Sequence, residues 1–394
     1  MSQRIKIALY ALTKYLQNRF RKQPKNKRVL IVFQQVFGDS ILLLPALRGY
    51  MELYHKRQGY EVTMICKPAI LRFLQDVAEL PEGLHVEAVD FKRLFDDYVY
   101  FKEVVTKYRD YAEIVIAPGS SLSADLLITT LCTNRRYGQI SCYRTRRPLQ
   151  LALFQRLAYT DAVISPAGMM KIQAHRLMLN HLGLTEYKGR LSSLRSQQRM
   201  IEGRYCVICP GASTPVKCWP IERFAQIADW LIDTYDMDVY LCGGTPEREA
   251  SDNLIAITHH KGRIHNKVGD TSFKEWASIV EYAELVLGND SATLHIAAAY
   301  RRKCMCVAGV YDKFQFFPYL VDELADGERL PLTIYKDMPC AYCRTKGYFA
   351  GAGNPQCQVA IKQGKCALCV EEITVEEVKS AIEDIYPPHF DYKQ

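Results

Sequence analysis

Two sets of residues in this 394-residue chain have the types and spacing for chemistry. The first is Phe37-Gly38-Asp39-Ser40, which contains the first acidic residue of the chain. Apolar residues 29–33 precede it as a buried parallel strand would, and a helical pattern, kinked at Pro45, is predicted over 41–50. A carboxylate in a turn beyond the carboxyl end of a strand lies where open α/β sheets hold ligands. Ionised at neutral pH, it can accept a proton from an attacking hydroxyl. The plainer reading of Asp39 is a helix N-cap.

The second set is three turns at predicted strand ends. Residues 209–220 carry Gly211, Ser213, Thr214 and Lys217 ahead of a helix opened by Pro220. Residues 242–247 carry Gly243, Gly244 and Glu247, and residues 288–295 carry Asp290, Ser291, Ala292 and His295. Unpaired N–H groups at helix starts attract anions, glycines allow close backbone approach, and a lysine adds charge. Together on one sheet edge they suggest a diphosphate site. Each turn alone also has a purely backbone explanation. None matches the dinucleotide glycine fingerprint or the phosphate loop of nucleotide hydrolases.

Elements must position these residues. Strands are predicted at 61–66, 85–89 and 113–117, with helices at 68–78, 98–108 and 122–132. Residues 169–182 fit a helix, and polar residues 183–203 read as a linker. The alternation then restarts, with strands at 205–209, 239–242, 285–288 and 304–307 and helices at 221–235, 247–259, 272–282 and 293–300. A Thr374/Glu377 capping box opens a last helix over 374–385. This predicts an α/β chain of two mostly parallel domains, 28–190 and 191–394, behind an arm of residues 1–27. The segment 137–147, with Arg144, Arg146 and Arg147, reads as a basic loop, either a solvated charge run or a contact for an anionic acceptor.

Charge is concentrated in the arm. Residues 1–28 hold nine Lys or Arg and no acid, and the rest carries 42 basic against 43 acidic residues. Ile5, Leu9, Leu12, Leu16 and Phe20 recur there at helical spacing. Two readings fit: a helix lying on an anionic membrane surface, or one packed on the protein with a solvated basic tail. The body shows no basic-aromatic stripe, so no nucleic-acid partner is expected. With no apolar run of bilayer length and no signal-like start, a cytoplasmic location is expected.

Of fourteen cysteines, five cluster: Cys340, Cys343, Cys357, Cys366 and Cys369. The paired C-x-x-C units Cys340/Cys343 and Cys366/Cys369 have the form of a structural zinc site; reduced thiols in a loop are the alternative. Asp236-Met-Asp238 has the form of a cation-binding D-x-D but reads as a turn.

The stretches VLIVFQQVFGDSILLLPALR, CVICPGASTPVKCWPIERFAQIADWL, VGDTSFKEWASIVEYAELVLGNDSATLHIAAA and ITVEEV resemble, in order, glycosyltransferase family 9, the lipopolysaccharide heptosyltransferase family. The resemblance implies the GT-B fold, two Rossmann-like domains facing a cleft, and an inverting transfer that needs no metal. It implies Asp39 as catalytic base, with Gly38 and Ser40 beside it on the acceptor, and Lys217 on the donor diphosphate. It places Ser213, Asp290-Ser291-Ala292 and His295 in the donor pocket, and Glu247 and Thr271 near the nucleoside. The donor it implies is ADP-heptose-like and the acceptor a glycolipid or cell-surface glycan. Asp290-Ser291-Ala292 stands where the family usually has Asp-Thr-Gly. A nucleotide-sugar epimerase and a non-catalytic sugar-nucleotide-binding scaffold are the alternatives on this architecture.

Overall fold

Two six-stranded, all-parallel sheets carry the chain, and they share one strand order. The computed structural model describes residues 2–141, 149–166, 168–313, 315–319, 331–341, 343 and 355–388. The chain divides into units Met1–Gly189 and Arg190–Gln394.

In the first unit β1 (Arg28–Phe33), β2 (Glu61–Cys66), β3 (Leu84–Ala88), β4 (Ile114–Ala117), β5 (Arg136–Ser141) and β6 (Asp161–Ser165) line up in the order β3-β2-β1-β4-β5-β6. Val29 through Phe33 are all buried, because helices cover both faces of a doubly wound sheet. The order reverses between β1 and β4, and such a switch point opens a crevice beyond the strand ends. In the second unit β7 (Tyr205–Cys209), β8 (Asp238–Leu241), β9 (Ile264–Asn266), β10 (Leu285–Asn289), β11 (Cys304–Val307) and β12 (Leu332–Ile334) repeat the pattern as β12-β11-β10-β7-β8-β9. Its switch point lies between β7 and β10.

Several elements differ from the sequence reading. Residues 37–40 are the first turn of α2 (Phe37–Tyr50), which spans Pro45, rather than a turn ahead of a helix. The N-cap is Val36, whose carbonyl accepts from Ser40 N–H at 3.0 Å, so Asp39 is not a cap. Residues 137–141, read as the start of a basic loop, belong to β5. Its polar side chains find distant partners: Gln139 donates to Ser165 Oγ at 3.2 Å, and Gly138 leaves room for the Tyr159 ring. Arg144, Arg146 and Arg147 lie outside the described residues. The cysteine-rich stretch holds helices α13 (Pro355–Lys362) and α14 (Leu368–Glu371). The last helix, α15 (Val375–Ile385), carries the expected Thr374/Glu377 capping box.

The arm forms helix α1 (Gln3–Asn18), capped by Ser2 Oγ, which accepts from Ile5 N–H at 3.4 Å. Ile7 and Ala11 are fully buried against α4 (Phe91–Asp96), α5 (Tyr98–Tyr108) and α6 (Leu122–Thr129). Among the described residues no helix is long and apolar enough to cross a membrane.

Candidate functional site

Asp39 stands at the switch point of the first sheet, in the opening turn of a helix that begins four residues after β1. Free N–H groups of that turn favour a negative charge there. Its side chain is 11% exposed, and Lys171 Nζ, at the start of α8 (Lys171–His181), lies 3.8 Å from Oδ1. Lys67, half-buried at the end of β2, also feels the Asp39 charge, which opposes the lowering of its ammonium pKa by burial. Gln34 spans the switch point: its Oε1 accepts from the Ser121 hydroxyl and from Ser123 Oγ, the latter at 2.7 Å. A carboxylate here, with Lys171 beside it and Lys67 within reach of its charge, has the chemistry to take a proton from a bound group. Gly38 is buried in the same turn. Ser40, expected beside it on the acceptor, is buried and donates to Phe37 O at 2.6 Å, so its hydroxyl is committed to its own helix.

The three turns of the second unit follow β7, β8 and β10, strands that run parallel, so all lie on one carboxyl edge. Lys217 and Asp290 meet across the switch point, Nζ to Oδ2 2.5 Å, with side chains 12% and 11% exposed. Lys217 also lies over the Phe316 ring, 5.4 Å from its centre. Ser291 is the N-cap of α12 (Ala292–Ala299) yet makes no capping bond, and its Oγ is buried without a partner among the described residues. Beside the Lys217–Asp290 pair, an orphan hydroxyl and an uncapped helix start converge where an anion would satisfy both. Ser213 and Thr214 are exposed on the β7 turn.

Glu247 closes the other side of this edge. Its Oε2 accepts from Gly244 N–H at 2.9 Å, and burial raises its carboxyl pKa against that bond. A Cβ at Gly211 would lie 2.3 Å from Glu247 Cδ and one at Gly243 2.1 Å from Oε2, so both glycines are needed for the carboxylate to sit there. Thr271, partly exposed just before the Ser272 cap of α11 (Phe273–Glu281), follows Gly269, whose N–H donates to Gly243 O at 3.0 Å. His295, expected to line the pocket, is buried: Nδ1 is 2.5 Å from Tyr319 OH, and its ring stacks on Phe317 at 4.3 Å.

The sequence reading missed Asn289. Fully buried, it donates from Nδ2 to Pro210 O at 2.6 Å and accepts at Oδ1 from Trp219 N–H at 2.9 Å, fastening the Lys217 turn to β10. Trp219 Nε1 donates to Ile373 O at 2.9 Å and Ala367 N–H to Val216 O at 3.0 Å, so the cysteine-rich stretch braces the same turn. Asn289→Ala strands a buried carbonyl and a buried N–H; a loss of about 2–4 kcal/mol in urea unfolding is expected. Lys67, Lys171 and Gln34 were also missed.

Among the described residues no three His, Cys, Asp or Glu side chains are grouped to hold a metal ion. Cys366 interacts with Glu371, Arg223 and Cys218, whereas Cys369 interacts with Cys357, Cys343 and Cys340. Burial pushes these two thiols up to about 11 and about 12, in a core shared with Ala367 and Val370. They pack as small hydrophobes. Asp236 is a left-handed helix C-cap, and Arg263 pairs with both Asp236 and Asp238, so that pair is structural.

Two doubly wound sheets of identical order, each with its polar residues at the switch point, define a protein built of paired Rossmann-like units. The model of glycosyltransferase family 9 (heptosyltransferase) matches residues 108–325, more than half of the sequence, and the chain belongs to that family. Lipopolysaccharide heptosyltransferase 2 of Escherichia coli K12 is 28% identical over 185 residues, 44% of this chain and 51% of the relative. The chain thus matches about half the length of that relative. The solved E. coli ADP-heptose lps heptosyltransferase II has the same fold: TM-score 0.62 at 14% identity, over 91% of this chain and 98% of that one. E. coli heptosyltransferase WaaC with ADP-2-deoxy-2-fluoro heptose gives TM-score 0.57 at 15% identity, over 91% and 99%.

Proposed function

We propose that this protein is an inverting glycosyltransferase that moves a heptose-like sugar from a nucleoside diphosphate to a lipopolysaccharide-type glycan. The observation that carries the reading is the convergence of Lys217, the orphan Ser291 hydroxyl and the uncapped start of α12 at one switch point. As the glycosidic bond breaks, negative charge grows on the departing diphosphate; Lys217 Nζ and the helix N–H groups meet it there. Asp39 takes the proton of the attacking hydroxyl, and attack opposite the leaving group inverts the anomeric centre. Lys67 and Lys171 suit an acceptor bearing phosphates or carboxylates. With the leaving charge met by protein groups, transfer is expected to need no metal.

ADP-heptose is the proposed donor, because a family relative of the same fold is solved with a fluorinated form of it. Glu247 and Thr271 would face the nucleoside. A lipid-linked acceptor lies on a membrane surface, which residues 1–27 would meet. The test is incubation with ADP-, UDP- and GDP-sugars, with and without a deacylated lipopolysaccharide core, in EDTA. Acceptor-dependent release of ADP is expected. Sugar conversion without acceptor would replace the reading with an epimerase; no turnover of any donor would end it.

A further inference from the structure

The two readings of the arm turn out to describe opposite sides of one helix. Ile7 and Ala11 are fully buried against the body, and the ion pairs Arg4–Asp96 (2.8 Å) and Arg21–Asp110 (2.9 Å) fix the arm at both ends. At 3.6 residues per turn, Ile5, Leu9, Leu12 and Leu16 fall within an arc of about 60° on the side away from Ile7 and Ala11. That arc faces solvent: Ile5 and Leu9 are 51% exposed, Leu16 is 49% exposed, and Phe20, just past the helix end, is 92% exposed. Four large apolar side chains in one exposed row are not what a solvated helix face contains.

The charges around the row select its occupant. Lys6, Arg19, Lys22 and Lys25 make no ion pair among the described residues, and residues 1–28 hold no acid. Two copies of this face brought together would juxtapose unneutralised cations, so self-association is opposed. A bilayer with anionic headgroups meets both features at once, apolar side chains entering the acyl boundary and cations resting on phosphates.

We propose that the outward face of α1, with Phe20, Lys6, Arg19, Lys22 and Lys25, is a docking surface for an anionic lipid bilayer. The helix is already capped and packed, so it docks as a rigid element of the first unit and needs no folding on the membrane. The contact serves the glycolipid reading above, but its measurement needs neither donor nor acceptor, so its failure and that of the transfer reading are separable.

The experiment is flotation of the full chain with vesicles of equal parts phosphatidylglycerol and phosphatidylcholine, and with phosphatidylcholine alone. Wild type is expected to float with the former and largely stay behind with the latter. Leu9→Ala/Leu16→Ala/Phe20→Ala removes exposed side chains only; a loss of binding of roughly tenfold or more is expected with unchanged thermal unfolding. Lys6→Gln/Arg19→Gln/Lys22→Gln is expected to abolish the preference for anionic vesicles. Wild type that ignores both vesicles, or an apolar triple variant that floats as wild type does, would overturn the proposal. So would a wild-type dimer in sedimentation that the triple variant dissolves without any vesicle binding, which would assign the face to a second copy.

Discussion

Asp39→Asn is expected to lower transfer by about 10²–10⁴-fold while leaving nucleotide affinity unchanged. The substitution keeps the size and most of the polarity of the side chain and removes only its basicity. In the first turn of α2 the lost charge weakens favourable terms with the helix start and with Lys171, at 3.8 Å. Those are worth about 0.3–1 kcal/mol at a helix terminus, too little to unfold the unit. Barrier losses of this size correspond to about 2.7–5.5 kcal/mol, the scale of a missing general base. The residues proposed to hold the donor belong to the second unit, so binding of ADP, read by calorimetry, is the internal control. Turnover within a few-fold of wild type would remove Asp39 as the base, whatever its position.

Much of this arrangement was legible in the residues, for identifiable reasons. Residues 29–33 of β1 and all of β7 are unbroken apolar runs followed by glycine-containing segments, and buried parallel strands produce that pattern. Strand order was not legible: that β1 neighbours β4, and β7 neighbours β10, depends on pairings between residues some 80 positions apart. It is this order that puts Lys217 beside Asp290 and Gln34 beside Ser121. β5 escaped notice because RYGQIS has no apolar alternation; Gln139 is buried by bonding to Ser165 across strands and to His175 on α8.

The cysteines show a different limit. C-x-x-C spacing is a local signal that does not separate a metal set from packed thiols, and the burial of Cys366 and Cys369 in the core of the second unit had no local signal. Lys171 had no local signal at all; α8 carries it to Asp39 from more than 130 residues away. His295 sits in a stretch that matches the family well, yet its ring is taken up by Phe317 and Tyr319. Conformity to a sequence pattern places a residue near a site but does not say whether its side chain is free.

Lys217→Met tests the anion site, and the pairing with Asp290 makes a single variant insufficient. With both side chains nearly buried, removing the lysine leaves a carboxylate uncompensated, at a cost of about 3 kcal/mol in stability. Activity is expected to fall by about 10²–10³-fold, the scale of one lost charge-stabilising donor at a developing anion. A structural role for Lys217 would produce the same fall through a disordered turn. The double variant Lys217→Met/Asp290→Asn separates the two. It removes both charges and keeps both shapes, so most of the lost stability should return in urea unfolding. Met still lies along Phe316, and Asn289 still ties Pro210 and Trp219. If the ammonium meets the leaving diphosphate, the double variant remains as slow as the single one and binds ADP more weakly than wild type. Recovery of turnover along with stability would show that the lysine is there only to neutralise Asp290.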